Sequence, residues 1–139
     1  MPNNTQFSIA IHILTALAFG CDKDVTSGDL AMSVNTSASF VRRVLAKLSK
    51  AGLVETTTGK AGRCRLARDP KQISLLDIYE AVDAPGAFAI HDYAEQKNCP
   101  VSCHIKGALD KALGKTQKAL ETSLDETSLA QVVADVKKG

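Results

Sequence analysis

Ser39-Phe40-Val41-Arg42-Arg43-Val44-Leu45-Ala46-Lys47-Leu48-Ser49-Lys50-Ala51-Gly52-Leu53-Val54-Glu55-Thr56-Thr57-Thr58 reads as a helix running into a strand. Phe40, Val41, Val44, Leu45 and Leu48 recur at helical spacing, so one face is apolar. Ser39, Arg42, Arg43, Ala46, Lys47 and Lys50 fall on the opposite face. Gly52 fits the glycine stop of a helix, and the β-prone residues begin just after it. Thr36, Ser37 and Ser39 place small hydroxyls at the leading end of the helix, with Arg and Lys behind them. A helix entering the major groove of duplex DNA needs this order, because small polar groups let the backbone approach and cations span to the strands.

Working outward, the residues before this helix supply its partners. Residues 6–19 carry Phe7, Ile9, Ala10, Ile11, Ile13, Leu14, Leu17 and Ala18 around most of a helix surface, with Gly20 as the stop. This first helix is expected to be largely buried, and His12 among its apolar residues reads as a packed or partly exposed histidine. Thr26 stands three residues before Asp29, the spacing of a capping box, and opens a short helix over residues 27–33. Val34-Asn35-Thr36 then makes a tight polar connection, which completes a helix-turn-helix. After residues 53–58, Gly59-Lys60-Ala61-Gly62 reads as a turn and Arg63-Cys64-Arg65-Leu66-Ala67 as a returning strand. The hairpin is a basic finger next to the recognition helix, the position of a wing that contacts phosphate or the minor groove. The expected DNA-contacting set is Thr36, Ser37, Ser39, Arg42, Arg43, Lys47, Lys60, Arg63 and Arg65. The competing reading, a solvated amphipathic helix and an ordinary hairpin, loses ground to the order of the elements.

Charge agrees. Residues 36–68 hold Arg42, Arg43, Lys47, Lys50, Lys60, Arg63, Arg65 and Arg68 against Glu55 alone, while the segments on either side are acidic on balance. The overall formal charge of +2 therefore conceals a polarised molecule, as suits a reader of a polyanion. The aromatics Phe7, Phe19, Phe40, Tyr79, Phe88 and Tyr93 are too scattered to form a stacking surface for single strands. No basic start with an apolar run and no membrane-length apolar stretch occurs, so a cytoplasmic protein is expected, with no membrane partner and with its four cysteines as thiols. No nucleophile elbow, phosphate loop or paired-acid arrangement is present. Asp77 and Glu80 read as a solvated helix face, and the chain is not expected to be an enzyme.

Beyond Asp69-Pro70, residues 73–82 place Leu75, Leu76, Ile78, Tyr79 and Val82 at helical spacing. Residues 83–97, with Pro85 and Gly86, look irregular. From Pro100, Val101, Ile105, Ala108, Leu109, Ala112, Leu113, Thr116 and Leu120 repeat at three- and four-residue steps for about five turns. So long a helix after a complete small domain has no sufficient partner in its own chain, and pairing across a two-fold axis is expected to bury it. A closing helix surrounds Leu129, Val132, Val133 and Val136. The fold class is mainly α with a small β-hairpin wing: a winged helix-turn-helix DNA-binding domain at 1–83, a connecting loop at 84–99 and C-terminal dimerisation helices at 100–139.

This order resembles the bacterial winged helix-turn-helix regulators of the IscR, NsrR and CymR (Rrf) type over nearly the whole chain. The resemblance is carried by Ala10-Ile11-His12-Ile13-Leu14, Leu30-Ala31, residues 39–48 with Ala51-Gly52-Leu53-Val54, the wing Gly59-Lys60-Ala61-Gly62, and Ile73-Ser74-Leu75-Leu76-Asp77-Ile78. It implies a homodimer on an imperfect promoter palindrome, usually a repressor, released by a signal at the C-terminal arm. One relative of this type acts partly through an enzyme partner, so a protein partner without thiol sensing is the alternative. Two departures stand out. The wing continues with Arg63-Cys64 where the type commonly has a second glycine and an aromatic, and the loop before the long helix offers Cys99 and Cys103 where cluster-binding members have three cysteines. No cofactor is expected, and an iron–sulfur cluster lacks its ligands.

Cys99-Pro100 places a thiol at a helix cap, where free amides favour the thiolate. Cys99, Cys103 and Cys64 are the redox candidates: Cys99 and Cys103, one turn apart, could join only if the first turn deforms, and bridges from Cys99 to Cys64, Cys21 or a second subunit are equally open. The alternative is that they are small apolar fillers of an interface. A metal site from Cys99, Cys103 and His104 needs a fourth ligand, such as His91, and no metal is expected.

Overall fold

The structure is a computed structural model that describes residues 5–19, 25–57 and 63–139. The expected Gly20 stop, Cys21 and the wing tip with Lys60 lie outside the described residues. Helix α1 (Thr5–Phe19) buries Ala10, Ile13, Leu14 and Leu17 and packs against every other layer of the fold. Helix α2 (Ser27–Val34) starts at the expected capping box. Thr26 Oγ1 accepts from the Asp29 amide and Asp29 Oδ2 accepts from the Thr26 amide, both at 3.1 Å. It ends at Asn35, whose φ of 62° is left-handed. Helix α3 (Ala38–Lys50) follows Ser37, whose Oγ accepts from the Phe40 amide at 3.2 Å. Gly52, at φ 79°, then turns the chain so that the Leu53 amide reaches the Leu48 carbonyl at 2.9 Å. A side chain at that φ is strained, which explains the glycine.

The wing is a three-stranded antiparallel sheet rather than a two-stranded hairpin. Strands β1 (Val25–Thr26), β2 (Val54–Thr56) and β3 (Arg63–Leu66) run in the order β1-β3-β2. Val25 pairs with Cys64, and Glu55 pairs with Arg65. Two residues of β1 are too few to show alternation in sequence, so its pairing was hidden in the run-up to the cap. β3 alternates as a half-buried strand should, with Arg63 and Arg65 outward and Cys64 inward, 4% exposed.

The helix expected over residues 73–82 is shorter at its start. A 3-10 turn at Pro70–Gln72 leads to Ile73, which is extended and fully buried, and helix α4 (Leu75–Ala81) begins after Ser74. Ser74 and Asp77 form a second capping box, with bonds of 3.0 Å in each direction. Asp77 is thus a cap rather than part of a solvated face.

No helix or strand occurs between α4 and helix α5 (Pro100–Asp125), which starts with Cys99 as its cap and Pro100 as its first residue. Helix α6 (Leu129–Lys138), capped by Ser128 and Gln131, turns back onto α1. Its entry is clipped to the chain before α4: Leu75 N–H donates to Thr127 at 2.9 Å and Leu129 N–H donates to Ile73 at 2.8 Å. Leu129 and Val133 therefore belong to the same core as Ile13, Leu30, Val41 and Ile78.

Leu129→Ala, at a fully buried site, should cost about 2–5 kcal/mol of stability, against about 0.5 kcal/mol or less for the exposed Asp135→Ala. Urea unfolding at fixed protomer concentration checks this, and equal midpoints for the two variants would detach α6 from the core.

Candidate nucleic-acid interface

The orientation of α3 is set from beneath. Val41, Val44, Leu45 and Leu48 are buried, so Ser39, Arg42, Arg43, Ala46 and Lys50 face outward and Lys47 lies half-buried at one side. Of the expected residues, Ser39, Arg42 and Arg43 thus share one exposed face of the helix, with Lys47 at its side and Thr36 and Ser37 before its first turn, and Arg63 and Arg65 lie on the exposed side of β3, which pairs with the strand following that helix.

These side chains differ in how far they are already engaged. The Arg43 guanidinium lies 5.3 Å from the centroid of the Phe40 ring, one cation–π contact on its own helix. Lys47 Nζ donates to Gln6 Oε1 on α1 at 3.2 Å. Ser37 Oγ is spent on the helix cap and lies 3.5 Å from Ser39 Oγ. Thr36 is half-buried, its amide donating to the Ala31 carbonyl at 3.1 Å. Arg65 Nε donates to its cross-strand partner Glu55 at 2.9 Å. Both side chains of that pair are largely exposed, so it adds little stability. Arg63 takes its amide to Thr57 Oγ1 at 3.1 Å. Arg42 is exposed and makes no side-chain hydrogen bond, ion pair or ring contact among the described residues.

Arg68, which belongs to the basic segment by charge, is a strut. Its Nη2 donates to the Ala51 carbonyl at the end of α3 at 3.4 Å, and its Nη1 lies 4.0 Å from Asp77. The Gln6–Lys47 and Arg68–Ala51 contacts span 41 and 17 residues, and no local pattern announces them.

The cysteines separate. Cys64 is a core residue, and burial pushes its thiol up, so at neutral pH it is a protonated filler beneath the wing. This corrects its place among the redox candidates. Cys99 is exposed at the start of α5, its Sγ accepting from the Ser102 amide at 3.4 Å, and Cys103 donates to the Gln96 carbonyl at 3.4 Å. Among the described residues no three His, Cys, Asp or Glu side chains converge on a metal-sized site.

Residues 3–135 match the Rrf2 family, described as an iron-dependent transcriptional regulator. The chain belongs to the Rrf2 family. It is 37% identical over 131 residues to YwnA of Bacillus subtilis (strain 168), a protein assigned as an HTH-type transcriptional regulator, covering 94% of this chain and 96% of that one. A crystal structure of a protein assigned as a transcriptional regulator from Lactobacillus plantarum superposes at a TM-score of 0.84 over 96% of this chain and 91% of the other, at 23% identity. CymR of B. subtilis superposes at 0.68 over 94% of each chain, at 21% identity. These two likenesses speak for the fold. The protein is a DNA-binding transcription regulator with a winged-helix fold, in a family of regulators and not of enzymes. No described helix is long and apolar enough to cross a membrane. The iron named in the family description does not fit the donors described here. Cys99 and Cys103 are two thiols at one helix start, and Cys64 is buried in the sheet, so the described thiols do not make the set of four thiolates that an iron–sulfur cluster takes.

Glu55 is the one acid in the basic segment and neutralises part of the wing. Glu55→Gln should tighten duplex binding several-fold at low salt and steepen the slope of log K against log salt by about 0.9 per phosphate contact that the released Arg65 gains. Fluorescence anisotropy over a salt series reads both, and an unchanged slope places Arg65 off the DNA.

Proposed function

We propose that two copies of this chain bind an imperfect palindrome in a promoter and repress transcription, with α3 in the major groove and the wing along the flanking backbone. The contacting set is the one expected from sequence: Thr36, Ser37, Ser39, Arg42, Arg43, Lys47, Arg63 and Arg65, with Lys60 at the wing tip. The observation that carries the reading is the exposed cationic face of α3, held by a continuous core beneath it and followed directly by a sheet on which Arg63 and Arg65 are exposed.

Pairing of two chains rests on α5. It is 26 residues long, about 39 Å, and none of its residues is buried. Val101 is exposed and Ile105, Leu109 and Leu113 are only half-buried, so the apolar stripe of this helix is incompletely covered within its own chain. A second α5 would remove that stripe from water, and two recognition helices related by a two-fold axis match the symmetry of a palindrome. Release follows when a peroxide oxidises the Cys99 thiol, exposed at the start of the same helix one turn before Cys103, to its sulfenic acid: the peroxide O–O bond breaks, one oxygen joins sulfur and the other leaves as water. The reading needs no iron–sulfur cluster.

Ile105→Asp together with Leu109→Asp should give a monomer by sedimentation with helical content retained, and palindrome affinity should drop by about 10²-fold because each half-site then binds alone. A variant that stays dimeric moves the interface elsewhere. Diamide or peroxide should release the native protein from its operator and leave the Cys99→Ser protein bound; equal release from both removes Cys99 from the signal.

A further inference from the structure

We propose that Arg42 is the base-reading arginine of α3 and selects a guanine in each half-site, while Arg43, Lys47 and Arg65 contact the phosphates. This rests on the placement of α3 in the major groove argued above.

The division follows from what each cation already holds. Base edges lie deeper in the groove than the phosphates at its rims. A reader must therefore extend its full length and present unoccupied donors. Arg43 is folded back over Phe40, Lys47 is tethered to Gln6 on α1, and Arg65 shares its charge with Glu55. Each has charge to offer a nearby phosphate and little free reach. Arg42 alone of the two helix arginines is unengaged among the described residues. It stands three residues after Ser39, so the two share one stripe in the N-terminal half of α3, the part of a recognition helix that meets base edges. Lys50 is also exposed, but it sits in the last turn of the helix and carries a point charge. The planar guanidinium of Arg42 matches the paired acceptors O6 and N7 of guanine, a pattern no other base offers in the major groove.

The test is selection from a randomised duplex pool by the native protein, Arg42→Ala, Arg42→Lys and Arg43→Ala, followed by salt titration on the native consensus. The native protein should show one strongly preferred guanine per half-site. Arg42→Ala should lower that preference by about 5- to 150-fold and leave the other columns in place. Arg42→Lys keeps the charge and loses the planar fork but can still donate to O6 and N7, so it should weaken the guanine column less than Arg42→Ala while holding the salt slope. Arg43→Ala should weaken all sequences together, flatten the slope by about 0.9 and leave the column intact. A guanine column that survives both Arg42 variants, or that disappears with Arg43→Ala, overturns the assignment while leaving DNA binding in place. A native protein that enriches no sequence overturns the groove reading itself. Thermal unfolding of the variants serves as the folding control, since Arg42 and Arg43 are exposed.

Discussion

Burial of Val41, Val44, Leu45 and Leu48 against α1 and its neighbours is the constraint on which the rest of the molecule depends. A helix has one rotation about its axis that hides those four side chains. A turn of one residue, about 100°, would bring Arg42 toward the core. An unpaired guanidinium in an apolar interior costs far more than any single contact in this protein supplies. The direction of the cationic face is therefore an outcome of core packing. The caps at Thr26, Ser37 and Gly52 then fix where the helices begin and end, and so set the height of α3 above the wing.

The C-terminal helices divide two tasks. α6 returns to α1 and closes the core, held by backbone bonds between Ile73–Leu75 and Thr127–Leu129, whereas α5 has no buried residue and leaves the pairing proposed above to cover its apolar stripe. Gln117 joins α5 to the DNA-binding half: its side chain donates to the Tyr79 hydroxyl at 3.0 Å and accepts from the Ala87 amide at 2.9 Å. Tyr79 meets Phe7 edge-to-face at 5.2 Å, and Gln6 beside Phe7 holds Lys47 of α3. Side-chain contacts and one peptide link thus join the long helix to α3. A shift of α5 meets α4 first, through Tyr79, and reaches α1 only behind it.

Much of this was legible in the sequence because the long elements repeat. The apolar stripes of α1, α3 and α5 and the Thr26–Asp29 cap are local patterns, and so is the glycine turn at Gly52. Ser74–Asp77 has the same cap spacing, but the apolar Ile73 in front of it reads as a first helical residue, whereas it is extended and drawn into the core. β1 is not legible in the sequence, because two residues carry no period. Cys64 sits on the basic finger in sequence, and only its burial beneath the sheet shows that it points inward. Within the DNA-facing set, the outward positions were readable from α3 periodicity. Which cations are already occupied was not, since Gln6 meets Lys47 through the tertiary fold and Glu55 meets Arg65 only once the strand register is set.

That occupancy bears on how a small regulator tells its site from the rest of the genome. Free cations raise affinity for every sequence alike, because each phosphate contact releases counterions whatever base lies beside it. Pairing Arg65 with Glu55 lowers the wing's share of that indiscriminate attraction, and resting Arg43 on Phe40 limits its motion before DNA arrives. A helix with one unengaged arginine then concentrates discrimination in few contacts, while the ratio of specific to non-specific binding, which governs occupancy among many competing sites, improves as the background falls. Glu55, which by charge alone looks like a flaw in a basic surface, is on this argument one of the residues that lets the surface discriminate.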